Sequence, residues 1–375
     1  MGIGTGADMN DRRKERRHRS LVMAASFGLT CCCLPLATQA EAPKKVTIVQ
    51  TTSAVTPTEI IVIGAIPKQL GYYKDEGLDV SILQGSGPAN AAQVLQSGSA
   101  EFATTMPESI LQMREQGGDL VAFYTLTQDN GNALAVKAGA PIDKLEDVRG
   151  KTIGALSWAS GGGALLIRSL ANIGVKDGEY TKIITPPGPA TAVALKNGQV
   201  DGLILWYSAY APMEISGLKL KFVDVPAVHQ VAGYSLATTD KFLKKDPAVV
   251  DGLCRAINKA YLFARRNPDA AVDLFMKEYP SYRPASLDEA VAASQYKQIL
   301  LTWLRTAVKG MPLEGPAGGF SREKWDFTQR FYTAVGQLKG SKSPDAGYTD
   351  KVLDPCNSFD HKAVMDAASD YRMDK

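Results

Sequence analysis

Histidine and cysteine are scarce in this chain of 375 residues, which has three His and five Cys. The histidines (His18, His229 and His361) stand far apart, and Cys31, Cys32 and Cys33 are consecutive. No spacing brings three ligands together for zinc, so neither a metal nor another cofactor is expected. No Gly-x-Ser-x-Gly elbow is present, no Gly-Lys-Ser/Thr follows a glycine-rich stretch, and no dinucleotide fingerprint occurs. The chain also lacks charge of one sign. It holds 42 Lys and Arg against 39 Asp and Glu, and residues 1–40 take six of the basic and three of the acidic ones, leaving 36 of each. A formally neutral body carries no nucleic-acid footprint. After residue 40 no run is apolar enough to span a membrane.

What is present begins with the head of the chain. A basic segment, Arg12 to Arg19, runs into the apolar stretch Leu21–Leu34 and then the small-residue exit Ala37-Thr38-Gln39-Ala40. This order predicts a secretory signal peptide over 1–40, starting at Met1 or Met9. The apolar stretch is short for the roughly 20 residues of a membrane anchor. With the signal removed, Cys254 and Cys356 remain. In an oxidising compartment they form either one disulfide or two buried thiols, and both stay open.

Down the chain, strands alternate with helices. Lys45–Gln50, Leu78–Ile82, Phe102–Thr105 and Leu120–Tyr124 read as strands, separated by helices over Glu59–Leu70, Ala89–Gln96 and from Pro107. The rhythm repeats with strands at Lys151–Ala155, Lys182–Ile184 and Leu203–Leu205, and helices over Ser160–Ile173 and Gly188–Lys196. Such βαβ series predict an α/β fold with two mainly parallel sheets. The tail is read as helical over Pro247–Arg266, Ser286–Val308 and Ser321–Leu338. Asn132–Val136 and Val223–Leu236 are the natural crossings. The expected domains are lobe I, 44–136 plus 236–375, and lobe II, 137–235.

Four segments carry a resemblance. Gly71-Tyr72-Tyr73-Lys74-Asp75-Glu76-Gly77-Leu78-Asp79-Val80 resembles the helix-to-strand step of the nitrate/sulfonate/taurine and thiamin-pyrimidine binding family of ABC importers. Leu95–Phe102, with Glu101 where Asp is usual, Asp147–Gly154 and Leu195–Gly202 are similar to three further steps, in the family's order. The resemblance spans 45 to about 270. It implies a two-lobed periplasmic binding protein fold (type II) that closes on a small organic solute such as a sulfonate or carboxylate. It further implies a periplasmic location, and permease and ATPase partners through which alone the chain meets the membrane. On this reading the chain is not an enzyme. The alternatives are a thiamin-pyrimidine synthase, whose relatives carry a cysteine cluster inside the mature body, and a periplasmic sensor module.

In open parallel sheets ligands sit beyond the carboxyl ends of the strands. That places the candidate ligand residues at Ser53, Thr58, Gly85, Ser86, Gly87, Asn90, Thr105, Met106, Asn130, Ser160, Gly161, Gly162, Trp206 and Tyr207. The Ser160–Gly163 turn lets backbone N–H groups approach a ligand at a helix start. Of the aromatics here (Tyr124, Trp158, Trp206, Tyr207 and Tyr210), Trp206 and Tyr207 end a strand, where they can stack on a planar ligand or close over an apolar one. None of these loops holds Lys or Arg. Glu59 and Glu108 begin helices, where a carboxylate complements the dipole.

Overall fold

The computed structural model describes residues 42–52, 55–159, 161–283, 285–309, 311, 313 and 315–373. The expected signal peptide, Ser53 and Ser160 lie outside the described residues. Ten strands are described: β1 Lys44–Gln50, β2 Leu78–Gln84, β3 Phe102–Thr105, β4 Leu120–Thr125, β5 Asn132–Lys137, β6 Thr152–Ala155, β7 Thr181–Ile184, β8 Gly202–Trp206, β9 Leu220–Val223 and β10 Ser235–Thr239. They form two five-stranded sheets, ordered β2-β1-β3-β10-β4 and β7-β6-β8-β5-β9.

Each sheet has four strands running one way and one reversed. In the first, β1 is parallel to β2 and β3, while β10 runs antiparallel to β3 and β4. In the second, β6 is parallel to β7 and β8, while β5 opposes β8 and β9. The reversed strand is in each case the one that a chain crossing delivers. This corrects the expected boundaries: β5 pairs along its whole length in the second sheet, so the first crossing is 126–131 rather than Asn132–Val136. Alternating small and apolar residues in 132–136 fit a strand buried on both faces as well as they fit a connector.

The four motif segments have structural work to do. Glu76 accepts from Arg255 Nε and Nη2, both at 2.9 Å, pinning the turn before β2 to the long helix Pro247–Arg266. Glu101 Oε2 accepts from Thr47 N at 2.7 Å, and Asp201 Oδ2 accepts from Thr152 N at 2.8 Å. The same carboxylate-to-strand bond thus occurs in both sheets, and Glu101 keeps it despite its extra methylene.

The expected helix Glu59–Leu70 is interrupted. A π-helical turn, Ile61–Ala65, precedes an α-turn, Ile66–Gln69. Pro67 has no N–H for the Ile63 carbonyl four residues back. The Tyr73 hydroxyl donates to that carbonyl instead, at 2.7 Å. Val46, Ile48, Phe102 and Leu236 pack beneath this segment and the helix Pro247–Arg266. A second apolar cluster runs from Val49 and Leu120 in the first sheet to Leu134 and Ile153 in the second, through Val228, Val231 and Phe331. Cys254 and Cys356, both fully buried, are joined by a disulfide with Cα atoms 5.1 Å apart.

Candidate functional site

Both crossings connect the carboxyl ends of the parallel strands. The first runs from β4 to β5 over 126–131, and the second from β9 to β10 over 224–234. The strand ends of the two sheets therefore converge on the crossings, the arrangement in which open α/β sheets bind ligands.

On the first sheet the candidate residues are largely occupied in building the rim. Gly85 N donates to Gln50 O at 2.8 Å and Gly87 N to Thr51 O at 2.7 Å. Asn90 Oδ1 accepts from Ser86 N at 3.0 Å, which leaves the exposed Ser86 hydroxyl facing outward. Thr105 is fully buried, and its hydroxyl donates to Pro88 O at 2.9 Å. Thr58 shares its hydroxyl with Thr56 at 3.1 Å. Met106 precedes the helix Pro107–Glu115 in extended backbone.

On the second sheet Asn130, Asn132 and Gly162 come together. Asn132 Nδ2 donates to Asn130 Oδ1. A Cβ on Gly162 would stand 2.6 Å from Asn132 Oδ1 and 2.9 Å from Ile204 Cγ1, so a larger residue would displace these side chains. Gly161 holds φ +57° at the start of the helix Gly161–Asn172. The segment 207–210 is not a loop, because the helix Tyr207–Ile215 starts directly at the end of β8. Trp206 keeps 39% of its surface open. Tyr207 packs on Phe222, ring centres 5.2 Å apart, and with Asn132, Asp224 and His229 lines a cavity of about 160 Å³. A cavity of that size takes part of a solute rather than all of one. Tyr210 and Tyr124 belong to the core, for the Tyr210 hydroxyl bonds Leu203 O, Ala133 O and Leu205 N. Trp158 donates its ring N–H to Ile183 O at 2.9 Å. Among the described residues no hydrogen bond joins the candidate residues of one sheet to those of the other.

The crossings carry an ionic cluster that the sequence does not announce. Asp129, in the first crossing, is 7% exposed. It accepts from Lys309 at 2.6 Å and Lys324 at 2.8 Å. Burial pushes its carboxyl up, but the two lysines outweigh it and hold the group below the ordinary carboxylate range. His229, in the second crossing, lies 3.6 Å from Asp129 and 2.8 Å from Asp224. The loop itself lacks Lys and Arg as expected, but the tail brings both lysines to it.

At the first sheet's carboxyl edge the apolar layer of Ile48, Phe102 and Leu236 gives way to a polar one. Gln50, two residues beyond Ile48, is fully buried; its amide donates to Thr52 O at 3.1 Å, and its Oε1 has no partner. Buried acceptors are normally satisfied, and an orphan costs about 1–3 kcal/mol. Thr104 Oγ1 lies 2.8 Å from the Tyr234 hydroxyl and accepts from Thr51 N at 3.2 Å. Glu59 projects here, within range of the Tyr234 and Tyr261 phenols. Burial pushes its carboxyl up, against a hydrogen bond from Thr58.

Glu108, in the first turn of the helix after β3, is a second part-buried carboxyl. Burial pushes it from 4.5 up to about 7. The buried Tyr332 hydroxyl lies beside it without a hydrogen bond of good geometry. The folded chain thus keeps a proton that the unfolded chain releases near pH 4.5. That preference stabilises the fold fully below pH 4.5 and is lost as pH rises through about 7. Glu108→Gln is expected to be about 2 kcal/mol more stable than the parent at pH 8, the gap closing by pH 4.5. Thermal melts at both pH values check this, and equal melting at pH 8 would contradict it.

Residues 61–271 match the family model described as NMT1/THI5 like. The chain is 24% identical over 288 residues to the riboflavin-binding protein RibY of Chloroflexus aurantiacus, covering 76% of this chain and 79% of that protein. It is 24% identical over 213 residues to the 4-amino-5-hydroxymethyl-2-methylpyrimidine phosphate synthase of Schizosaccharomyces pombe, covering 53% and 60%. Among solved structures, the alkanesulfonate-binding protein SsuA of Xanthomonas axonopodis pv. citri, bound to MOPS, aligns with a TM-score of 0.56 at 16% identity, over 82% of this chain and 99% of that one. This likeness carries the fold: two sheets flanked by helices in the two-lobed arrangement of periplasmic binding proteins.

Proposed function

The chain belongs to the NMT1/THI5-like family, and from that membership we propose that it is the solute-binding component of an ABC importer. In this role it is exported to the periplasm, captures a small organic solute between two lobes, and presents the closed form to a permease and its ATPase. The observation that carries the reading is the pair of crossings at the carboxyl edges of both sheets. A two-stranded hinge of that kind allows the rims to move together around a solute and apart to release it.

The synthase alternative is less well supported. Cys254 and Cys356 are bonded to each other, so no free thiol stands among the described residues beyond 41. The chain also covers 60% of the fission-yeast synthase against 79% of the riboflavin-binding protein. Relatives by sequence bind or make nitrogen heterocycles, whereas the solved neighbour binds an alkanesulfonate; the cargo belongs to one of these two chemistries.

Thermal-shift screening of the chain from residue 41 against both classes tests the proposal, because a solute that binds only the folded state raises its stability by mass action. At least one class is expected to raise the melting temperature, with the solute recovered unchanged. Trp206→Ala, which strips the exposed ring from the second lobe's rim, is expected to weaken the best hit several-fold by calorimetry. Turnover of the solute by the isolated chain would overturn the receptor reading.

A further inference from the structure

The polar layer at the first sheet's carboxyl edge holds one acceptor without a donor and one carboxyl without a cation among the described residues. Gln50 points a buried carbonyl oxygen at no partner. Gln50 follows Ile48 on the face covered by the segment that Glu59 begins, so the amide and the carboxyl share that side of the sheet. Among the described residues no Lys, Arg or His forms an ion pair with Glu59. The nearby Thr104 and Tyr234 hydroxyls are engaged with each other at 2.8 Å. At the hinge, Lys309 and Lys324 are bound to Asp129. The Gln50 carbonyl thus has no donor within the chain, and the Glu59 carboxyl, which takes a hydrogen bond from Thr58, has no cation to neutralise it among the described residues.

We infer that Glu59 is the specificity-determining residue of the first lobe, and that with Gln50 it selects a solute presenting N–H donors there, such as an amine, amidine or amino-substituted ring. This inference rests on the receptor reading and narrows it. A carboxylate accepts hydrogen bonds and, when ionised, offers no donor, so it pairs with N–H groups and repels sulfonate or nitrate oxygens. The unpaired Gln50 carbonyl adds a second acceptor that an anion cannot satisfy. Tyr207 and the cavity beside it, on the opposite lobe, remain free to take the solute's other end.

Calorimetry at pH 7 with benzamidine, 4-aminopyridine and methanesulfonate, on the chain from residue 41, tests this. The parent is expected to bind at least one of the two nitrogen probes and to bind methanesulfonate more weakly. Glu59→Gln is expected to lower affinity for that probe about tenfold or more, the scale of one hydrogen bond to a charged group. Gln50→Leu is expected to lower it by a smaller factor. Gln50→Leu removes an unsatisfied oxygen and Glu59→Gln a carboxyl whose charged form burial disfavours, so both variants should melt no lower than the parent; a loss of affinity with unchanged melting separates selection from misfolding. Binding of methanesulfonate in preference to both nitrogen probes, failure of both nitrogen probes to bind, or an affinity unmoved by Glu59→Gln overturns the inference. All three of these outcomes leave the receptor reading intact, and only conversion of the solute would remove that.

Discussion

Loss of the Cys254–Cys356 disulfide is expected to cost the chain about 4 kcal/mol. The bond closes a loop of 102 residues, and the entropy taken from the unfolded chain by a loop of that size corresponds to roughly 4–5 kcal/mol. It ties the middle of the helix Pro247–Arg266 to the short helix Leu353–Asn357. Around it Asn258 donates to Asn357 at 2.9 Å and Arg255 to Pro355 O at 2.8 Å. These bonds are local and outlast the cross-link only while the tail stays docked. Replacing both cysteines by serine should therefore lower the chemical-denaturation midpoint and speed hydrogen exchange over 353–370. A double variant as stable as the parent would mean that the tail is held by packing alone.

Asp129→Ala is expected to cost about 3 kcal/mol, the low end for removing one partner of a buried ion pair, because Lys309 is more than half exposed and can turn to water. Lys324, about a quarter exposed, has less access to water and loses more, though it keeps its bond to Gln128 O at 2.7 Å. The effect has a definite pH sign. A carboxyl held below its ordinary range stabilises the fold above that range and ceases to do so as pH falls through the depressed value. The parent should lose this contribution on acidification, and the variant should show no such component. Because Asp129 links the first crossing to His229 in the second and to two lysines of the tail, the variant should also change solute affinity. An unchanged affinity would place the cluster outside the closing motion.

Much of the fold is legible in the sequence. The long helix Pro247–Arg266 is bounded as read, since Pro247 starts it and Asn267-Pro268 stops it. The strands ending in Gln50, Thr105 and Ala155 also match, because each is a short apolar run bounded by polar or glycine-rich turns. The π-turn at Ile61 is not legible, since it depends on Tyr73 reaching back to Ile63. The helix Tyr207–Ile215 is hidden by Pro212 inside it and by aromatics that read equally as a ligand loop.

The site is less legible than the fold, for a physical reason. Its loops are set by strand ends, which periodicity locates. Its charges are set by partners far away in sequence: Lys309 is 180 residues from Asp129 and Lys324 is 195. Glu59 looks like an ordinary first-turn carboxylate, and only the fold brings its charge within reach of the Tyr234 and Tyr261 phenols. Gln50 reads as the polar end of a strand, and only its orphaned carbonyl marks it out. The disulfide, which the sequence leaves undecided, depends on the tail returning across the first lobe.

The claim that the two lobes close on a solute is tested most directly by the distance between them. Spin labels at Gln93→Cys, on the helix Pro88–Gln96 of the first lobe, and Arg168→Cys, on the helix Gly161–Asn172 of the second, report it by pulsed electron resonance. Adding the strongest hit from the thermal-shift screen should shift the distance distribution to a shorter, narrower one, reversed when the solute is dialysed away. A distribution that stays the same with the solute bound would contradict capture by closure.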